Sequence, residues 1–271
     1  MPLRQPLILA LTLASAAPAF AQPRGADEGW GLVLGAGALS SPTYEGDDSS
    51  RVSILPNIQL SYGDRFFASV QEGIGYRVLN DDALRAGPIL RVKFSRDESG
   101  DQPFAINGDD TTDLVGLGDV DTSLEAGGFI DYDLGQLTFS AEARKAFTGH
   151  EGLVADLGMK WSGRDALFGP PVIWSIGPRA RLVDDTYNAA YFSVSPTQSI
   201  ASGLPQFDAG GGLHSYGLGA TAIVPLTQDW TAVIVAGYDR LTGDAADNPL
   251  VLLRGSEDQA SLGVFLSYKA F

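Results

Sequence analysis

Apolar and polar positions alternate along long stretches of this chain. One set reads Val52, Ile54, Pro56, Ile58, Leu60 and Tyr62; the interleaved set reads Arg51, Ser53, Leu55, Asn57, Gln59 and Ser61. A two-residue period held over about a dozen positions marks an extended strand with unlike faces. The same rhythm returns at 84–95, 120–132, 137–144, 153–161 and 172–182. About twelve strands are predicted, near 30–41, 51–62, 65–79, 84–96, 118–133, 135–147, 151–162, 172–184, 187–195, 211–226, 229–241 and 259–271.

Strand length separates two architectures. Strands of soluble domains run about 5–6 residues, whereas membrane-crossing strands need about 9–11. The predicted strands are of the longer kind. Their polar faces carry charge in mid-strand: Arg91, Lys93, Glu125, Glu142, Arg144, Arg179 and Arg181. Lys160, Asp121, Asp131 and Asp156 fall on the same faces. A dry sandwich core rejects such charges, but a wet lumen accepts them. The predicted fold is therefore all-β: one antiparallel transmembrane β-barrel over 22–271, with both termini on the periplasmic side. Aromatics near strand ends, such as Trp30, Tyr62, Phe66, Phe67, Phe94, Tyr132, Phe147, Trp161, Trp230, Tyr238 and Tyr268, fit an interfacial girdle. The lumen charges read either as an internal plug of opposed ions or as a selectivity path.

Short turns at 62–65, 149–152, 184–186 and 226–229 alternate with longer segments at 42–50, 162–171, 196–210 and 242–258. The acidic, Gly-rich segment 97–117 breaks this rhythm. Strand parity places it on the periplasmic side, where barrels keep only short turns. Either one strand is miscounted before it, or the barrel carries an unusual periplasmic insert.

The two ends of the chain carry export signals. Arg4, the apolar run Leu7 to Ala14, and Ala19-Phe20-Ala21 make a signal peptide over 1–21, with cleavage expected after Ala21. That apolar run is short for a membrane anchor, and the rest of the chain has no uninterrupted apolar run long enough for a transmembrane helix. Near the other end, Gly263, Leu266, Tyr268 and Phe271 resemble the signal that outer-membrane assembly machinery reads on a last strand. Localisation in the outer membrane of the cell follows, with outer-membrane lipid and that machinery as partners.

Composition narrows the chemistry further. The chain has 271 residues, 33 Asp+Glu against 18 Lys+Arg, a formal net charge of -15 and no Cys. That acid excess excludes a nucleic-acid partner, which needs a basic face. Without cysteine there is no disulfide framework, thiol nucleophile or cysteine metal site. His214 and Ser215 invite a hydrolase reading, but neighbours on a strand point to opposite faces and do not pair. His150, flanked by glycine, shapes a turn. The Asn107 to Asp113 stretch is acidic enough for calcium, yet the sixth and twelfth loop positions hold Thr112 and Gly118 instead of Gly and Glu. No catalytic residue, cofactor or metal ligand is expected, and the chain is not expected to be an enzyme.

Tyr191-Phe192-Ser193-Val194-Ser195-Pro196-Thr197-Gln198-Ser199 resembles the YFGVSPEQS segment of the MipA/OmpV family of outer-membrane proteins. Leu241 to Val251 is similar to that family's LLGDAADSPLV, and Pro42-Thr43-Tyr44-Glu45-Gly46 with Leu55-Pro56 to its PxYxGS…PLP opening. Gly118 to Asp121 and Gly149 to Gly152 fit as well. Ser193 departs from the usual Gly, Asn248 from Ser, and Lys269-Ala270-Phe271 from a short Arg-Phe ending. The resemblance implies a barrel without established enzymatic activity. Its namesake is described as a scaffold joining a murein-degrading lytic transglycosylase to a murein synthase, so a periplasmic murein hydrolase or synthase is the implied partner. Other members are described as surface antigens, adhesins or porin-like proteins, which leaves a small-solute channel and an adhesin as alternatives to the scaffold.

Overall fold

The computed structural model describes residues 29–100, 104–107, 111–166 and 171–271. The expected signal peptide, 1–21, lies outside them. The strands are β1 (Trp30–Pro42), β2 (Ser50–Tyr62), β3 (Phe66–Ser69), β4 (Gly73–Tyr76), β5 (Leu79–Asn80), β6 (Leu84–Lys93), β7 (Ala105–Asn107), β8 (Ser123–Leu134), β9 (Leu137–Ala146), β10 (Leu153–Asp165), β11 (Val172–Val183), β12 (Gly212–Pro225), β13 (Trp230–Leu241) and β14 (Asp258–Lys269). Four helices lie between them: α1 (Asp185–Phe192), α2 (Pro196–Ser202), α3 (Asp244–Asp247) and α4 (Pro249–Arg254).

All strand pairs are antiparallel, and β1 bonds to both β2 and β14, so the sheet closes on itself. β4 and β5 lie on one stave against β6, and β7 is a short addition to β2, which leaves 12 staves in the ring. Closure leaves no open edge, the condition that lets backbone cross lipid. Alternation sorts the side chains. Leu34, Ile54, Ile58, Leu90, Ile130, Leu157, Ile176, Ile234 and Val264 face outward, each 40% exposed or more. An outward band this apolar suits a hydrocarbon solvent. Among the described residues no helix is long and apolar enough to cross a membrane; the crossing is made by strands.

The two ends of the barrel differ. The turns at 63–65, 81–83, 135–136 and 226–229 share the end where β1 starts and β14 stops, and β10 ends and β11 begins there. Aromatics gather there in touching pairs: Trp30 with Tyr62 at 5.0 Å, Trp161 with Trp174 at 5.1 Å, and Trp230 with Tyr268 at 5.1 Å between ring centroids. Segments 43–49, 94–100, 104–107, 111–122, 147–152, 184–211 and 242–257 lie at the opposite end. Of the aromatics expected in the girdle, Phe67 is buried and Phe94 packs against buried Leu39, Leu55, Val233 and Phe265; both point inward.

Three sequence expectations change. The strand expected over 65–79 is a hairpin, because Gly73 takes φ +80 and Glu72 N–H bonds to Ser69 Oγ at 2.9 Å, closing a turn at 70–72. The strand expected over 187–195 is helix α1. Asp184 caps it by accepting from Tyr187 N–H at 2.9 Å, and Tyr187, Asn188, Tyr191 and Phe192 bury one helical face. The gain and the loss cancel, so twelve staves stand. The extra hairpin moves every intervening connection to the other end, so the described residues between β6 and β8 lie opposite the termini. The segment is no free loop. β7 pairs with Val52 and Ser53 of β2 and extends the wall above the short β3–β4 hairpin.

Candidate functional site

Helices and long connections at the end opposite the termini fold into a cap. α2 starts at a capping box: Ser195 and Gln198 bond reciprocally to each other's backbone N–H, Pro196 takes the first helical position, and Gly203 ends the helix at φ +77. α4 starts on Asn248, whose side chain accepts from Val251 N–H at 3.1 Å. Tyr187, Tyr191, Phe192, Ala245 and Val251 form one apolar cluster; Tyr44, Leu114, Leu117, Val194, Leu204 and Leu250 form another. Arg254 donates to the carbonyls of Asp113 at 2.7 Å and Ser202 at 2.5 Å, tying three connections together.

Beneath the cap the lumen has two unlike halves. Leu39, Leu55, Val233 and Phe265, from β1, β2, β13 and β14, make one side apolar. β6 to β11 supply charge on the other. Arg144 donates to Glu125 at 2.7 Å and to Asp156 at 2.8 Å, and also pairs with Glu142. Glu142 accepts from Arg91 at 2.5 Å and 2.9 Å. Arg181 donates to Asp156 at 2.8 Å, and Arg179 to Asp239 at 2.7 Å. Lower in the barrel Arg85 pairs with Asp133 at 2.7 Å and Asp131 at 3.7 Å. Arg144, Glu125 and Arg181 are 4%, 2% and 6% exposed, so each ion depends on its partners for solvation.

The network is completed from above by Glu45, on the connection between β1 and β2. Its carboxylate lies 3.2 Å from Lys93 Nζ and 3.5 Å from Arg181, and accepts from the Tyr187 hydroxyl at 2.9 Å. Burial raises the Glu45 pKa, but Lys93, His214, Arg181 and the Tyr187 hydroxyl outweigh it and hold the carboxyl well below the usual range. Burial pushes the Tyr187 phenol well above its ordinary value. Two positions further, burial and the charges of Asp113 and Asp48 push Asp47 up to about 6, against the hydrogen bond it accepts from Ser49.

The seven charges singled out in sequence all appear in these contacts: Arg91, Lys93, Glu125, Glu142, Arg144, Arg179 and Arg181. Asp156 joins them, whereas Asp121 is an exposed residue of the cap end, just before β8. Of the C-terminal residues, Leu266, Tyr268 and Phe271 are exposed at 45%, 39% and 60%, and Gly263 opposes Leu39 and Val235 in the sheet. Ser215 and His214 are both buried, contrary to simple alternation. A bulge beside Arg181 and Leu182 lets two residues of β12 point inward. They still do not pair: His214 Nδ1 lies 3.2 Å from Asn188 Oδ1. His150 bonds Glu125 at 2.9 Å and accepts from Gly152 N–H at 2.9 Å, closing its turn onto the network. No group of three or more metal-ligating side chains occurs among the described residues. Sequence reasoning did not bring Glu45, Tyr187 and His214 together: His214 stood out only beside Ser215, and Glu45 only inside the Pro42 to Gly46 motif.

A family model described as MltA-interacting protein MipA matches residues 34–270. No curated protein matches the chain. Among solved structures, the NanC porin is 11% identical, with 88% of this chain and 99% of that one covered at a TM-score of 0.43. OprD from Pseudomonas aeruginosa is 13% identical, with 90% and 65% covered at a TM-score of 0.36, so the chain spans about two thirds of its length. An anion-selective porin from Comamonas acidovorans is 10% identical, with 89% and 98% covered at a TM-score of 0.29. These likenesses are distant, and the barrel stands on this chain's own strand pairing.

Proposed function

The chain belongs to the MltA-interacting protein MipA family, and from that membership we propose that it is an outer-membrane barrel that docks a murein-degrading enzyme. One observation favours docking over conduction. The lumen beneath the cap is occupied by paired ions and by Glu45, and opposed charges that satisfy one another leave no net field to select a solute. The apolar outer band and the aromatic pairs near the termini support the membrane setting.

In this reading the termini and short turns face the periplasm, and the cap faces outward. An enzyme of the murein then meets the turn end of the barrel. The described parts of the acidic segment, 97–100, 104–107 and 111–117, lie at the cap end, away from that surface. The test uses the refolded barrel in detergent micelles with a purified lytic transglycosylase of the MltA kind. Saturable capture is expected, and an excess of the soluble enzyme should compete it. A channel reading predicts instead steady single-channel conductance in a planar bilayer and no capture; that pair of results would reject docking.

A further inference from the structure

We propose that the upper lumen contains a binding site for a small carboxylate solute, which Glu45 fills as a built-in surrogate. The inference goes beyond the docking reading and does not depend on it. Glu45 comes from a connection in the cap, whereas the groups around its carboxylate come from the wall and from α1. Lys93 approaches one oxygen at 3.2 Å and Arg181 at 3.5 Å. The Tyr187 hydroxyl reaches both oxygens, at 3.2 Å and 2.9 Å, and His214 Nε2 lies 4.0 Å from the second. Both oxygens of a planar anion are thus met, by two cations and a hydroxyl.

Each member of this cradle is held by something other than Glu45. Asp156 holds the Arg181 guanidinium at 2.8 Å. Lys93 donates to the Tyr187 hydroxyl at 2.7 Å and sits 4.4 Å from the centre of the Tyr191 ring. Asn188 holds His214 at 3.2 Å, and the Asp184 cap positions Tyr187. Donors that keep their places without the occupant form a preorganised site. When the occupant is removed, Lys93 loses its paired carboxylate and Arg181 one of its two, a state that favours an incoming anion. Arg181 also lines a small cavity, together with Asp156, Arg179, Ser215 and Asp239.

The experiment is chemical rescue of the full barrel refolded in detergent micelles. Glu45→Ala frees the space of an acetate ion. Sodium acetate is the probe, with sodium chloride and sodium phosphate at equal ionic strength as comparisons. At acetate ten times its dissociation constant, the folded-to-unfolded ratio of Glu45→Ala should rise about elevenfold. Adding Lys93→Met should remove the response. The wild-type barrel, whose site is filled, should need a higher acetate concentration for any effect. An equal response to chloride would mean general screening, and an equal response to phosphate would mean a site without carboxylate preference; either overturns the proposal. If Glu45→Ala does not fold in chloride, acetate in the refolding buffer must restore the heat-modifiable form on a detergent gel. Failure to restore it also overturns the proposal.

Discussion

Arg144 holds three carboxylates with one guanidinium, those of Glu125, Glu142 and Asp156. At 4% exposure it has little water to replace it. Arg144→Ala should therefore cost about 3–5 kcal/mol, because Glu125, Glu142 and Asp156 each lose an ionic partner where little water can replace it. Arg240→Ala removes two ion pairs as well, but its side chain is 37% exposed and water solvates what remains. That change should cost far less than the loss of Arg144. Urea titration of both variants in the same micelles gives the comparison; equal losses would mean the network is not what stabilises the wall. Asp47 gives a pH signature of opposite sense to an ordinary paired acid. Its folded pKa is about 6, above the usual 3.8, so folding favours the protonated form. Its stabilising contribution is complete below the unfolded value and is lost as pH rises through about 6. Asp47→Asn should thus be more stable than wild type at pH 8 and lose that advantage near pH 4. A pH-independent difference would contradict this.

At the scale of the element, each long strand is a two-faced object, and the faces tolerate different changes. Ile234 stands near the middle of β13, pairs with Val264 and Ala222, and is 40% exposed on the outer face. Arginine there should cost about 2–4 kcal/mol in a bilayer. Leu252 on α4 is 66% exposed in the cap, and its replacement by arginine should stay within about 0.5 kcal/mol. Refolding into lipid vesicles at graded urea measures both. A negligible cost at Ile234 would remove the lipid-facing assignment. The helices show how a fold is hidden in a strand-like run. Tyr191-Phe192-Ser193-Val194 carries β-favouring residues, so a strand was expected; the Asp184 cap and the Ser195–Gln198 box make the backbone helical on either side.

At the scale of the whole molecule, parity decides topology. One extra hairpin at 66–76 sets which end holds every connection up to α1. Since the chain has no cysteine, single cysteines report orientation cleanly. Ile200→Cys, at a position 88% exposed on α2, should react with a membrane-impermeant maleimide on intact cells. Gln136→Cys, in the β8–β9 turn at the terminus end, should react only after the outer membrane is permeabilised. The reverse pattern would place the cap in the periplasm and return segment 97–117 to contention as a docking surface.

The sequence by itself determined the barrel class and the family. Period-2 alternation is local, and each strand repeats it independently, so lipid-facing Ile54 and lumen-facing Arg144 are legible from their neighbours. Helices α1, α2 and α4 were not legible, because such short runs satisfy strand and helix patterns alike. The turn at 70–72 escaped notice because residues on either side keep extended character, and only Gly73 at φ +80 marks the reversal. Tertiary structure alone decided the rest. Glu45 meets Tyr187 across 142 positions of sequence, Arg91 meets Glu142 across 51, and Asn57 meets Ser267 across 210. No local pattern encodes such pairs, because ring closure and strand stagger fix which side chains share a level of the lumen.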